Sequence, residues 1–461
     1  MRVITLMMLT GLILAASEVS LASPEQTSPE KMSAEQISSK PANLDETTSR
    51  AGSSLTPVPE TGLSLQQAEQ FALKRDTLSK SFKQNEQAFV EQAIATDTWQ
   101  DPRIKLGAQA VPIDSFDLEQ ENMTQLVVGY QQMLPRGDSL TNASESMMAL
   151  SRTQSARAQQ RDRQVLMKVR QAWLDVVLQE KTQAIIQENR ELFEQMLDIS
   201  QAFYASGRQQ QQDVVQAELE ISLVDDRLER ARSELMVAEA NLAKWVGDEN
   251  MLQGVAVEQA DLSLKGLSEL AELKRRLENN PELTAMREQV ISQQKKLNMA
   301  GDQYSPQWGF DITYGYRSGN NGNNPRGEAR SDFLTAMVTL DLPVFTSNKQ
   351  DRNVSAEKQR LQAVRYQQLD VNRELLKRLQ SVVGRLQKLK DRHQLYENKV
   401  LPQARQNAEV SLRGYQSGVV SFFTLTRARV TELNTHLADL KIDVAYNKAF
   451  AELQYLIGEK S

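Results

Sequence analysis

Between Gln211 and Gly247 the residues Ala217, Ile221, Val224, Leu228, Ala231, Leu235, Ala238, Leu242 and Trp245 recur in alternating steps of four and three. That spacing predicts one helix of about 50 Å with a narrow apolar seam. Arg, Glu, Asp and Gln fill most other positions. A helix this long with so thin a stripe cannot close a globule on its own. It must lie against other long helices, from its own chain or from copies of it.

Composition supports an elongated helical chain. Of 461 residues, aromatics make up 6% and charged residues 25%, and the mean hydropathy is −0.51. The net charge of −6 comes from interspersed charges of both signs, which excludes a nucleic-acid footprint. Cysteine is absent, which removes disulfides, thiolate metal sites and cysteine nucleophiles. The only histidines, His393 and His436, lie far apart in sequence, so imidazole catalysis and a multi-histidine metal site are not expected.

Arg2, the apolar run Val3–Ala16 and the small residues Ser20 and Ala22 read as a secretory signal peptide over 1–22. The run is shorter than the roughly 20 residues of a transmembrane helix, and no cysteine follows for lipidation. Residues 23–62 are rich in Ser, Pro, Glu and Thr and are expected to be disordered. No later helix is apolar enough to span a membrane, so membrane entry would fall to strands.

Order is expected from Leu63. Ser64 can cap a helix continuing towards Trp99, which Asp101-Pro102 stops. Residues 103–134 read as a β-hairpin around an acidic loop, Asp114–Glu121, and Leu134-Pro135 ends it. Residues 139–247 then read as an αα-hairpin turning at Ala205-Ser206-Gly207-Arg208. After a linker at 251–266 the scheme restarts. A helical stretch broken at Asn280-Pro281-Glu282-Leu283 leads to a second β-hairpin, 307–344, ended by Leu342-Pro343. A second αα-hairpin, 350–458, turns at Tyr415-Gln416-Ser417-Gly418, and its last helix is expected over about Thr424–Leu456. The domains are thus two repeats, 63–250 and 267–461: a tandem duplication of helix, strand, strand, long helix and long helix.

Each strand has about ten residues, enough to cross a bilayer when tilted. Trp308, Phe310, Ile312, Tyr314 and Tyr316 share one face of theirs, opposite Gly309, Asp311, Thr313 and Gly315. They are the candidate lipid-facing residues. A soluble hairpin packed on the helices would give the same alternation. Four strands cannot close an aqueous barrel, and an open sheet in lipid leaves costly unpaired backbone. Membrane-spanning strands would therefore need several chains sharing one barrel.

The duplication, Asn280-Pro281-Glu282-Leu283 opening a repeat, Asp101-Pro102 and Ser305-Pro306 before strands, and Leu-Pro after each hairpin resemble the TolC family of outer-membrane efflux factors. So does the tip pattern Tyr204, Gly207, Asp213, Ala217. The resemblance spans about Leu63–Gly458. It implies a mainly α fold with a β-barrel portion: a homotrimer sharing one outer-membrane barrel that continues as a periplasmic α-helical barrel. The implied role is a passive exit duct of a tripartite efflux or type I secretion system in a Gram-negative outer membrane. Its implied partners are a periplasmic adaptor, an inner-membrane pump of the RND type, and outer-membrane lipid. No cofactor and no enzyme activity are implied. Asp101–Gly107 and Leu134–Asp138 look most like members that accompany heavy-metal exporters.

The resemblance also nominates site residues. Asp213, Arg208, Gln216 and Thr424 fall at the pore constriction. Tyr204, Gly207, Tyr415, Gly418, Phe422 and Phe423 fall at the tip turns where an adaptor would dock. Two departures stand out: Arg75-Asp76-Thr77 replaces Asn-Pro in the first repeat, and Thr424 stands where the second tip would carry Asp. Asp213 reads equally as a first-turn helix carboxylate worth about 1 kcal/mol or less. The competing class is a soluble periplasmic coiled-coil protein bridging membranes. An enzyme has no phosphate loop or nucleophile–base set to recommend it.

Overall fold

The computed structural model describes residues 63–247, 261–266, 268–320 and 328–458. The signal peptide, the Ser/Pro-rich segment 23–62 and most of the inter-repeat linker lie outside the described residues. All described residues belong to one compact unit, Pro57–Ser461.

Its elements follow in the order α1 (Leu65–Arg75), α2 (Thr77–Thr96), β1 (Arg103–Gln109), β2 (Gln125–Met133), α3 (Ser139–Ala205) and α4 (Gln211–Val246). Then come α5 (Leu270–Leu277), α6 (Pro281–Asp302), β3 (Gln307–Tyr316), β4 (Phe333–Asp341), α7 (Gln350–Leu395), a π turn (Tyr396–Val400), α8 (Leu401–Gln416) and α9 (Phe422–Ile457). The two long-helix hairpins match boundary for boundary. Ser139–Ala205 and Gln350–Gln416 are of equal length, the turns between hairpin arms are equal, and α4 and α9 each run 36 residues.

Two stretches expected as single helices are divided. The first helix breaks at Asp76, whose backbone is extended and whose carboxylate accepts the Ser79 N–H at 2.7 Å to cap α2. Ser64 caps α1 with Gln67 in a reciprocal capping box. α2 ends at Thr96, short of Trp99. Asn280 caps α6 in the same way, accepting the Glu282 N–H at 2.8 Å. Arg75-Asp76-Thr77 is therefore the first repeat's version of Asn280-Pro281: a side-chain acceptor at the N-cap, with or without proline at N1. The second division is the π turn before α8. Pro402 has no N–H to donate to the Asn398 carbonyl, and the backbone widens so that the Leu401 N–H reaches Tyr396 O. The final helix starts at Phe422 rather than near Thr424, because Ser421 caps it through the Thr424 N–H. β1 ends at Gln109, before Ala110 turns to φ +55°.

α3 is the hub, packing on α2, α4, α6 and α9. Its N-terminal half buries small residues, Ala143, Ser146, Ala149 and Ser151, and Ser146 Oγ meets Ser292 Oγ of α6 at 2.9 Å. Small side chains let the two backbones approach closely. Further along, Val165, Val169, Trp173 and Val176 pack with Leu242 and Val246 of α4. Each fully buried aliphatic stabilises by about 1.5–3 kcal/mol. In the second repeat Leu375, Leu379, Val382 and Leu386 of α7 meet Tyr446, Leu453 and Leu456 of α9. The seam that opened the sequence argument is half of one such interface: Val224, Leu228, Ala231, Ala238 and Leu242 are buried, while Ile221, Leu235 and Trp245 remain half-buried. Arg161 lies 5.7 Å above the Trp245 ring while holding Asp76 with a bidentate fork at 2.8–3.1 Å.

The strands form one antiparallel sheet ordered β1-β2-β3-β4, so the two hairpins pair through β2 and β3. The outer edges of β1 and β4 are unpaired in the chain, and every residue of both strands is exposed. None of the described helices is long and apolar enough to cross a membrane.

Candidate functional site

The two hairpin tips are built alike. α3 and α8 each end in a Schellman motif. Gly207 and Gly418 take φ +70° and +74°, and the N–H of each bonds the tyrosine carbonyl three residues back, Tyr204 O at 2.9 Å and Tyr415 O at 3.0 Å. The next N–H reaches the carbonyl five residues back, Arg208 to Phe203 at 2.9 Å and Val419 to Gly414 at 2.8 Å. Only glycine reaches this left-handed conformation without strain.

The side chains then diverge. Tyr204 is exposed, whereas Tyr415 is fully buried. The Tyr415 ring lies 5.7 Å from that of Phe203 and 5.4 Å, edge-on, from that of Phe422. Its hydroxyl donates to Asp213 Oδ2 at 3.1 Å. Asp213 is the third residue of α4, so the first tip's carboxylate is held by the second tip's tyrosine. Burial, together with the adjacent Asp213 charge, pushes the Tyr415 hydroxyl well above the usual phenol range. Phe193, Met196, Ala217, Val224, Tyr415, Phe422 and Leu425 form one core beneath both tips.

The nominated tip residues therefore separate into two groups. Asp213, Tyr415 and Phe422 are brought together. Arg208, Tyr204, Phe423 and Thr424 stay exposed, with Thr424 engaged by its N-cap Ser421. Gln216 donates to Glu220 at 2.9 Å along its own helix. The Tyr415–Asp213 bond was missed in the sequence because its partners are far apart in the chain and no local period links them.

On the sheet, Trp308, Phe310, Ile312, Tyr314 and Tyr316 are all exposed on one face of β3. Register extends that face across all four strands: Tyr130, Val128 and Leu126 of β2 oppose Ile312, Tyr314 and Tyr316, and Leu340, Val338 and Leu334 of β4 oppose Trp308, Phe310 and Tyr314. Ile104 and Leu106 of β1 continue it beside Tyr130 and Val128. The opposite face carries Lys105, Gln125, Asp311, Thr313 and Thr335, with Lys105 ion-paired to Asp311.

Solved structures share this arrangement of an amphipathic sheet joined to long helical hairpins. The chain superposes on CusC with a TM-score of 0.72 at 15% identity, covering 86% of this chain and 92% of that one. It superposes on VceC from Vibrio cholerae with a TM-score of 0.68 at 16% identity, covering 86% and 96%. For the open state of the Neisseria gonorrhoeae MtrE outer membrane channel the TM-score is 0.67 at 14% identity, covering 86% and 88%. At such identities the likeness shows the fold. The sequence profile of the outer membrane efflux protein family matches residues 273–459. The match is confined to the second half of the chain, and the described chain as a whole shares the fold of these solved outer-membrane proteins. No curated protein matches by sequence.

Proposed function

We propose that the chain is one subunit of an outer-membrane exit duct serving a tripartite efflux system. The observation that carries this is the sheet: one face apolar and aromatic across four strands, the other polar, with both edges unpaired. In water the aromatic face would be a large exposed apolar patch. In lipid it is the expected outer surface of a barrel, with Lys105, Asp311 and Thr313 turned to an aqueous lumen. A shared barrel removes the unpaired edges, and three copies, contributing twelve strands, are the proposed assembly. The helical hairpins continue the duct into the periplasm. Its role is conduction rather than catalysis.

Adaptor and pump dock at the tips in this reading, with the exposed Tyr204, Arg208, Val419 and Phe423 as the available surface. Asp213 acts within the chain, tying the first tip to the second, and lends its charge to the duct mouth only when Tyr415 releases it. The soluble coiled-coil alternative leaves the strand aromatics without a covering surface.

Membrane fractionation tests the proposal, followed by mild detergent extraction and semi-native gel mobility. A heat-modifiable trimer in the outer-membrane fraction is expected. A periplasmic protein soluble without detergent would overturn the duct.

A further inference from the structure

We propose that α7 and α9 together form a divalent-cation site of the zinc type, with His393 Nδ1, Asp439 Oδ1 and Asp443 Oδ1 as its ligands. Each of the three residues offers a ligand atom such that all three lie within 4.8 Å of one another. Nδ1 stands 2.7 Å from Asp443 Oδ1 and 4.0 Å from Asp439 Oδ1. Ligand atoms around a tetrahedral zinc at about 2.1 Å sit roughly 3.4 Å apart. To share one ion, the Asp443 separation from Nδ1 must open and the Asp439 separation close, each by well under 1 Å.

Two observations point to a ligand rather than to an ordinary ion pair. First, all three atoms are shielded from solvent and have no hydrogen-bond partner outside the cluster, although each side chain keeps about a fifth of its surface. The one close contact among them is Nδ1 with Asp443 Oδ1. Among the described residues no lysine or arginine is ion-paired with either carboxylate. Two shielded carboxylates against one imidazole are costly unless a cation is shared. Glu397, in the π turn one helical turn beyond His393, sits 3.6 Å from Nε2. It is placed to orient the ring as a carboxylate does behind a metal-bound histidine.

Second, the duplication supplies a control. Counted from the matching helix boundaries, the first repeat has Thr182, Leu228 and Arg232 at the three positions. Leu228 is buried in the core. The fold is therefore satisfied there by an aliphatic residue, and the half-buried Asp439 answers some other demand. Imidazole with carboxylates suits zinc, manganese or nickel rather than the thiolate- and thioether-seeking copper(I). His436, one turn before Asp439, is exposed and outside the ligand set. The site lies on the helix pair, far along α7 and α9 from the tips, and the inference stands independently of the duct reading.

The test uses the full chain, without a histidine tag, in detergent after chelator treatment. Zinc chloride is titrated by calorimetry with metal analysis. One zinc per chain is expected, binding in the micromolar range or tighter and raising the melting temperature by several degrees. His393→Gln and Asp443→Asn, each checked for an intact oligomer on a semi-native gel, should weaken binding by at least about tenfold and abolish the thermal shift. Because a variant can fail to fold, the unmodified chain gives a second readout. It has only two histidines, and zinc should protect His393 but not His436 from diethyl pyrocarbonate, read by mass spectrometry. Absence of binding, equal binding by the folded variants, or no protection of His393 would each overturn the site and leave a metal-free His–Asp contact.

Discussion

The two repeats share every long-helix boundary yet differ at both ends of their hairpins. At the tips, the first repeat leaves Tyr204 in solvent and starts α4 from Gln210 with no side-chain cap. The second buries Tyr415 and Phe422 and starts α9 from a capping Ser421. At the helix breaks the positions reverse. Asp76 both caps α2 and holds the Arg161 fork, whereas Asn280 caps α6 and donates only to the Leu456 carbonyl, at 2.8 Å. The long-helix backbones of the two halves match in length. What each repeat does with them depends on single side chains whose partners belong to the other repeat or to another helix.

The largest effect should separate neighbours at the second tip. Phe422→Ala empties a fully buried ring site and should cost about 3–5 kcal/mol, whereas the exposed Phe423→Ala should stay within about 0.5 kcal/mol. Urea midpoints of the detergent-solubilised protein distinguish them. Equal effects would mean that the tip core is not the second repeat's anchor.

Next come the helix breaks. Asp76→Ala removes a cap and leaves the partly buried Arg161 unpaired, at a cost of about 3 kcal/mol. Asn280→Ala should cost about 1–2 kcal/mol. Burial raises the Asp76 carboxyl, but the hydrogen bonds from Arg161 and from the Ser79 N–H outweigh it and the net shift is downward. Its folded value lies below its unfolded one. The stabilisation is therefore present above about pH 4 and is lost as the pH falls through the folded value. The Asp76→Asn variant should show a shallower loss of stability between pH 5 and pH 3 than the parent.

Tyr415→Phe keeps the ring packing and removes the bond to Asp213, at about 1–2 kcal/mol. The loss should appear as faster amide exchange around 204–213 as well as around 415–424, because the bond joins the two tips. Exchange changing at one tip alone would break that link.

The smallest effect tests the caps. Gln210 and Ser421 share the same extended backbone, so Gln210→Ser should gain and Ser421→Ala should lose about 1 kcal/mol. Thermal midpoints moving in opposite directions confirm that only the side chains differ.

Much of this architecture was legible in the sequence because it is periodic. Seam positions such as Val224, Leu228 and Leu242, the alternation of Trp308 to Tyr316, the Ser64 cap and the two Gly turns each depend on residues within one or two turns of one another. The helix breaks were only half legible. Asn280-Pro281 carries its own signal, but Asp76 looks like a departure until its carboxylate is seen capping α2. Pro402 marked the π turn, yet the continuous pattern around it reads as one helix.

Local periods therefore determined the helices and the strands, since backbone hydrogen bonding and amphipathic burial act over a few residues. The tertiary structure alone decided which residues of one repeat meet those of the other. Tyr415 finds Asp213, Arg161 finds Asp76, and His393 finds Asp443 only once long helices are laid side by side in a fixed register. That register is set by the summed packing of whole interfaces, and no short stretch of sequence encodes it.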